Sequence, residues 1–225
     1  MAKEVLTPEE QMLQNAHVQT ENFFEKHSKM VVTAIVVIFA LAAAIFGYKK
    51  LVSEPRLNKA QEMLYQAQYR FEQQNADFAL ALNGDETAPG FAEVADEYAN
   101  TPAGNLANLY AAACNLRLGD FDAAQKYIDK YSAVDGIPGD VVNAMAAGIK
   151  AEIAVEKKDY AKAATLFEQA AKLRENDFTT PMYLRKAALA YKAMGDEAKA
   201  EELMKVINEQ YPASYDAREA IKLVD

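Results

Sequence analysis

The chain has 225 residues and a net charge of −9, from 24 basic groups against 33 acidic ones. The first fifty residues hold five lysines and five glutamates, so the negative surplus belongs to residues 51–225, and an acidic domain is a poor match for nucleic acid or anionic lipid. Both histidines, His17 and His27, precede residue 30 and the sole cysteine is Cys114, which beyond that point excludes a Ser-His-Asp triad, a Cys-His dyad, a histidine or thiolate zinc site and an internal disulfide.

Thr7, Pro8, Glu9 and Glu10 form a helix start, with Thr7 as cap, Pro8 at the first position and Glu10 completing a capping box. The pattern predicts a helix from Pro8 to about Lys26, whose aromatic end, Phe23 and Phe24, would lie against a membrane interface. A loosely ordered solvated tail is the alternative, because isolated helices of this length are marginal.

Met30 to Tyr48 is an uncharged apolar run of 19 residues in which only Thr33 is polar. As a helix it is about 28 Å long, close to the roughly 30 Å of a hydrocarbon core. Lys26 and Lys29 flank one end, Lys49 and Lys50 the other, and Tyr48 stands where an aromatic belt residue would. The run therefore reads as a single transmembrane helix. Ala40, Leu41 and Ala42 give the A-x-A pattern of a cleaved signal peptide, but 29 residues with five glutamates among them are a long and acidic n-region. A buried core helix is a weaker rival, and Ala43 with Gly47 is a faint small-xxx-small pair.

Ser53, Glu54 and Pro55 predict a break or kink. A helix then runs from about Arg56 to Gln74, its stripe of Leu57, Ala60, Leu64, Ala67 and Phe71 recurring at three- and four-residue spacing. Nothing beyond it alternates as a strand does, so the remainder is predicted to be entirely helical.

A unit recurs there: an aspartate, usually an aromatic, and alanine four residues after the aspartate. The instances are Asp77-Phe78 with Ala81, Asp120-Phe121 with Ala124, Asp159-Tyr160 with Ala163 and Asp196-Glu197 with Ala200, at spacings of 43, 39 and 37. Such periods indicate stacked helical hairpins. Gly119 and Gly195 would end the first helix of a pair, the aspartate would cap the second, and the alanines would sit where helices cross closely. In the first unit Asn83 to Gly90 interrupts the second helix. Three copies in register argue against an ordinary helical bundle. Cys114 reads as a buried inert thiol.

These residues resemble tetratricopeptide repeats, best in Ala151, Asp159, Tyr160, Ala163, Phe167 and Ala170, then in Ala188, Gly195, Asp196, Ala200, Met204 and Pro212, and in Ala112, Gly119, Asp120, Phe121, Ala124 and Ile128. The resemblance implies an all-α chain: a single transmembrane helix followed by an α-solenoid of helical hairpins that binds other proteins. It divides into a tail at 1–29, the span at 30–48, a linker helix with a divergent first repeat at 49–104, and repeats at 105–225. The family's geometry places a partner-binding groove along the first helices, with Leu106, Leu109, Ala113 and Leu116, then Met145 and Glu152, then Arg185, Leu189 and Lys192. That lining is mostly apolar with a basic end. Leu109 and Ala113 stand where carboxylate-clamping relatives carry lysine and asparagine, which argues against a chaperone-tail clamp.

The arrangement of tail, span and divergent repeats with Tyr98-Ala99-Asn100-Thr101-Pro102-Ala103 is similar to the single-span ancillary subunit of the bacterial Sec translocon, the YfgM type. This implies a bacterial inner-membrane protein with a periplasmic C-terminal domain, whose partners are translocon subunits, a periplasmic chaperone and translocating polypeptides. Charge counting points the other way, since Lys26 and Lys29 are outnumbered by Lys49, Lys50, Arg56 and Lys59. A membrane-tethered cytoplasmic adaptor and a self-associating scaffold are the alternatives. No glycine-rich phosphate loop or calcium-loop pattern occurs, so neither an enzyme nor a cofactor or small-molecule substrate is expected.

Overall fold

The computed structural model describes residues 7–218, which form helices and no strand; an isolated bridge joins Gly84 to Pro89. Two compact units emerge, Met1–Arg56 and Leu57–Asp225.

In the first unit, helix α1 runs from Pro8 to Tyr48, so the predicted tail helix and the apolar run are one element. The side chains of Glu10 and Phe24, and with them the capping box and half of the aromatic pair, lie outside the described residues. Phe23 is exposed and its ring packs 4.9 Å from that of His27. From Val32 through Phe46 the large apolar side chains point outward, Phe39 being 71% exposed, which removes the buried-core reading. The one polar side chain of the run is satisfied internally: Thr33 Oγ1 donates to the Lys29 carbonyl at 2.7 Å.

At Pro55 the predicted break or kink takes the form of a local change of helix type, with no gap in the helix. Lys49–Ser53 is a π-helical segment, the Glu54 N–H bonds the Lys49 carbonyl, and α2 continues from Glu54 to Phe71. A proline leaves one carbonyl unpaired and crowds it with its ring, and the wider π turn makes room for both.

In the second unit, Ala60, Leu64 and Ala67 of α2 are buried as the stripe predicts, but Leu57 is 38% exposed and lies off it. They join Phe91, Val94, Ala107, Ala111 and Cys114 in one core cluster that includes α3 (Phe78–Asn83), α4 (Phe91–Glu97) and α5 (Pro102–Leu118). Phe71 meets Phe78, Phe91 and Tyr110 at 5.6, 5.9 and 5.3 Å, and Phe91 stacks on Tyr110 at 4.9 Å. This aromatic knot holds together the unit that departs most from the repeat pattern. Between α3 and α4 lies the predicted interruption, fastened by Asp85, which accepts from the Thr87 N–H, the Thr87 hydroxyl, the Ala88 N–H and Arg70 Nη2. Those donors hold its carboxyl well below the usual carboxylate range.

Three hairpins complete the unit: α5 with α6 (Phe121–Lys130), α7 (Ile137–Glu156) with α8 (Tyr160–Leu173), and α9 (Thr179–Ala193) with α10 (Glu197–Gln210). Their turns share one construction. Asp120, Asp159 and Asp196 each donate their backbone N–H to a carbonyl five residues back, those of Asn115, Ala154 and Tyr191. Each then caps the next helix by accepting the N–H of Ala123, Lys162 or Lys199, as Asp77 does from Leu80. The left-handed residue before the aspartate is Gly119 or Gly195 in two turns and Lys158, with φ 60°, in the third. Ala124, Ala163 and Ala200 are buried, where small side chains let helices approach. Beyond α10 a helical turn at 215–218 returns to the core, with Ala217 buried against the last two hairpins.

Candidate partner-binding groove

Stacking of the hairpins leaves a groove of about 450 Å³ among α5, α7, α8 and α9. Its apolar walls come from Leu116, Val155, Leu189, Ala190 and Ala193, with Tyr160 and Phe167 from α8. Phe167, a residue of the repeat motif, is 2% exposed and forms part of the groove's lining. Lys186 holds its ammonium 5.7 Å from the centre of that ring and forms an ion pair with Glu152, tying α9 to α7. Both side chains are about 30% exposed, so the pair is partly desolvated. The remaining charges of the lining are Arg117 and Glu156.

Next to the groove, Tyr183 of α9 packs its ring onto α7 at Gly148, where a Cβ would come within 2.5 Å of it. Burial, with the Glu152 carboxylate adding to it, pushes the Tyr183 hydroxyl up to about 12. Tyr191 donates to Glu168 Oε1 at 2.7 Å, and that bond, ahead of burial, raises its hydroxyl to about 12 as well.

Of the nine predicted groove residues, Leu116, Glu152 and Leu189 come together in this lining. Leu109 is 1% exposed and belongs to the core with Ile128, Ile149 and Ile153, so it is unavailable to a partner. Leu106 and Ala113 are half-buried against that same core. Met145 is 39% exposed on α7, and Lys192 is exposed on α9; both lie outside the lining. Arg185 is turned away by Asp216, whose Oδ1 accepts from its Nε at 2.7 Å. Of the predicted basic end, Arg185 is therefore neutralised. Sequence reasoning missed Arg117, Val155, Glu156 and Lys186; helical spacing from Glu152 and Leu189 offers Val155, Glu156 and Lys186 as neighbours on the same faces, but not which of them the groove would gather.

Among the described residues no three histidine, cysteine or carboxylate side chains come together as a metal site would require. The Cys114 thiol is fully buried, which pushes its pKa up to about 12, the opposite of what a nucleophile needs.

A family model for a tetratricopeptide repeat-like domain matches residues 21–134, from the end of the tail through α6. No curated protein and no solved structure matches the chain. The best motif copy, around Asp159, lies beyond the matched stretch, yet its turn has the same construction as that of Asp120 within it. By this match and by its stacked hairpins, the chain belongs to the tetratricopeptide repeat-like domain family.

Proposed function

We propose that the chain is a non-catalytic protein-interaction scaffold anchored in the bacterial inner membrane by one span, and that it serves the Sec translocon as an ancillary subunit. In this role the tail faces the cytoplasm, and the helical hairpins face the periplasm and help pass translocated chains to a folding factor. The groove between α7 and α9 carries the interaction reading, because it is open, mostly apolar and made by stacking of hairpins, the way such solenoids meet partners. One outward-facing apolar helix, long enough to cross a bilayer, supports the anchor. The translocon assignment rests on the resemblance of tail, span and divergent repeats to the YfgM type.

A second reading has its own observation. The surplus of Lys49, Lys50, Arg56 and Lys59 over Lys26 and Lys29 favours a cytoplasmic hairpin domain, which would make the chain a membrane-tethered adaptor. Photo-crosslinkers placed at Leu189 and Met145 in native membranes separate the possibilities. Adducts to translocon subunits and to exported chains support the proposal. Consistent adducts to cytosolic regulators replace it with the adaptor, and adducts between copies of the chain replace it with a self-associating scaffold.

A further inference from the structure

The interaction reading leaves the chemistry of the bound partner open. Resting on that reading, we infer that the groove takes an internal, uncharged, apolar stretch of extended polypeptide, in preference to a chain terminus, an acidic peptide or a hydrocarbon chain.

The charges decide it. Lys186 is neutralised by Glu152, and Arg185 by Asp216 at 2.7 Å, so two cations that could have gripped a carboxylate are already engaged. What remains is Arg117, with Glu156 in the same lining. Both are exposed, and neither has a partner among the described residues. The four charged side chains sum to zero, in a chain of net charge −9. A terminal or side-chain carboxylate would meet one free cation, one free glutamate and an acidic surrounding field.

One unpaired donor from α5 and one unpaired acceptor from α7, in the same lining, can serve the two polar groups of a peptide backbone. Arg117 donates to a peptide carbonyl, Glu156 accepts a peptide N–H, and apolar side chains of the segment settle against Leu116, Val155 and Leu189. A hydrocarbon chain offers neither bond and would strip water from both charges without replacement. The volume of about 450 Å³ lies within the roughly 300–1,000 Å³ of small-ligand sites. That suits a few consecutive residues.

The test uses the full chain in nanodiscs of uncharged lipid. The probe is a seven-residue peptide of alternating leucine and alanine, amidated at its C-terminus and carrying an uncharged fluorophore at its N-terminus, followed by anisotropy. Saturable binding is expected. L189D and L116D should each weaken it about tenfold or more, as loss of a central apolar anchor does. The double variant R117Q/E156Q, at exposed positions that leave the core intact, should weaken it by about three- to tenfold. Absence of saturable binding overturns the inference, as does wild-type affinity in L189D and L116D. Tighter binding of the same peptide with a free carboxylate or with two leucines replaced by glutamate also overturns it. A long-chain alcohol that displaces the peptide while R117Q/E156Q has no effect assigns the groove to hydrocarbon instead. Crosslinking of protein partners through Leu189 without any peptide binding overturns this inference and leaves the interaction reading standing.

Discussion

Lys186 on α9 forms its ion pair with Glu152 on α7, thirty-four residues earlier in the chain. The same separation joins Lys130 to Asp96 and Arg174 to Asp140, and a separation of thirty-five joins Lys157 to Asp122. Three of the pairs tie a helix to one of the preceding layer, and Arg174 with Asp140 closes the open end of the α7–α8 hairpin. Most are exposed, and such pairs contribute about 0–1 kcal/mol each; the Glu152 pair is the best shielded of the four.

A double-mutant cycle of Glu152→Gln and Lys186→Gln in the purified chain should therefore give a coupling of about 1 kcal/mol, and less in molar salt. The same cycle on Asp122 and Lys157, where the carboxylate is 86% exposed, should give a few tenths at most. Equal couplings at the two sites would show that burial does not grade this set of ion pairs.

Lys158 holds a left-handed conformation, with φ 60°, in the position that Gly119 and Gly195 fill elsewhere. Its turn is otherwise the same, with the Asp159 N–H closing onto the Ala154 carbonyl at 2.8 Å. Replacing Lys158 by glycine should stabilise the chain by about 0.5–1 kcal/mol. A Cβ at Gly119 or Gly195 meets nothing within 4 Å, so Gly119→Ala and Gly195→Ala should cost about 1–2 kcal/mol through backbone strain alone. Thermal unfolding of the three variants checks the pattern, and a destabilised Lys158→Gly would contradict it.

Gly104 lies one turn into α5, and a Cβ built there falls 2.0 Å from the Tyr98 carbonyl oxygen. That carbonyl also accepts the Thr101 hydroxyl at 2.8 Å, and Thr101 in turn accepts the Gly104 N–H at 3.0 Å. The clash is therefore with a fixed backbone atom at the joint of α4 and α5. Gly104→Ala should cost about 3 kcal/mol or more. At Gly148 the nearest neighbour is the Tyr183 side chain instead of backbone, so Gly148→Ala should cost less. The expected ranking is read from denaturation midpoints, and a neutral Gly104→Ala would mean that the joint yields.

What could be read from the sequence was local. The aspartate caps, the glycine turns and the interruption after Asn83 each depend on a handful of neighbouring residues, and all took their predicted form. Pro55 marked an irregularity but not its form, because the lost hydrogen bond is a local fact and a π segment is one local way to absorb it. Groove membership was less legible. Leu109 sits on the first helix of its hairpin as the family geometry requires, yet Ile149 and Ile153 of the next hairpin join it in the core. The neutralisation of Arg185 depends on Asp216, thirty-one residues away and beyond the last predicted helix. Only the stacking of layers brings such groups together.

Cys114 and Tyr183 make the fold sensitive to alkali. The thiol moves from 9.0 in its ordinary state to about 12 when folded, through burial, and the Tyr183 hydroxyl moves from 10.0 to about 12, through burial first and the Glu152 carboxylate second. Each group ionises more readily once the chain unfolds. The stability linked to them is therefore fully present below pH 9 and is lost as pH climbs towards 12. Each proton released on unfolding in that window steepens the fall by about 1.4 kcal/mol per pH unit at most. Cys114→Ala should flatten the part of the slope that begins near pH 9, and Tyr183→Phe the part that begins near pH 10, whatever either does to stability at neutral pH. In the wild-type chain the thiol should react with a maleimide at pH 8 no faster than the chain unfolds, since a buried thiol is both protonated and out of reach. Denaturant midpoints at half-unit steps from pH 8 to 11.5 measure the slopes. An unchanged slope in both variants, or rapid labelling of the folded chain, would show that these side chains open to water far more readily than their packing implies.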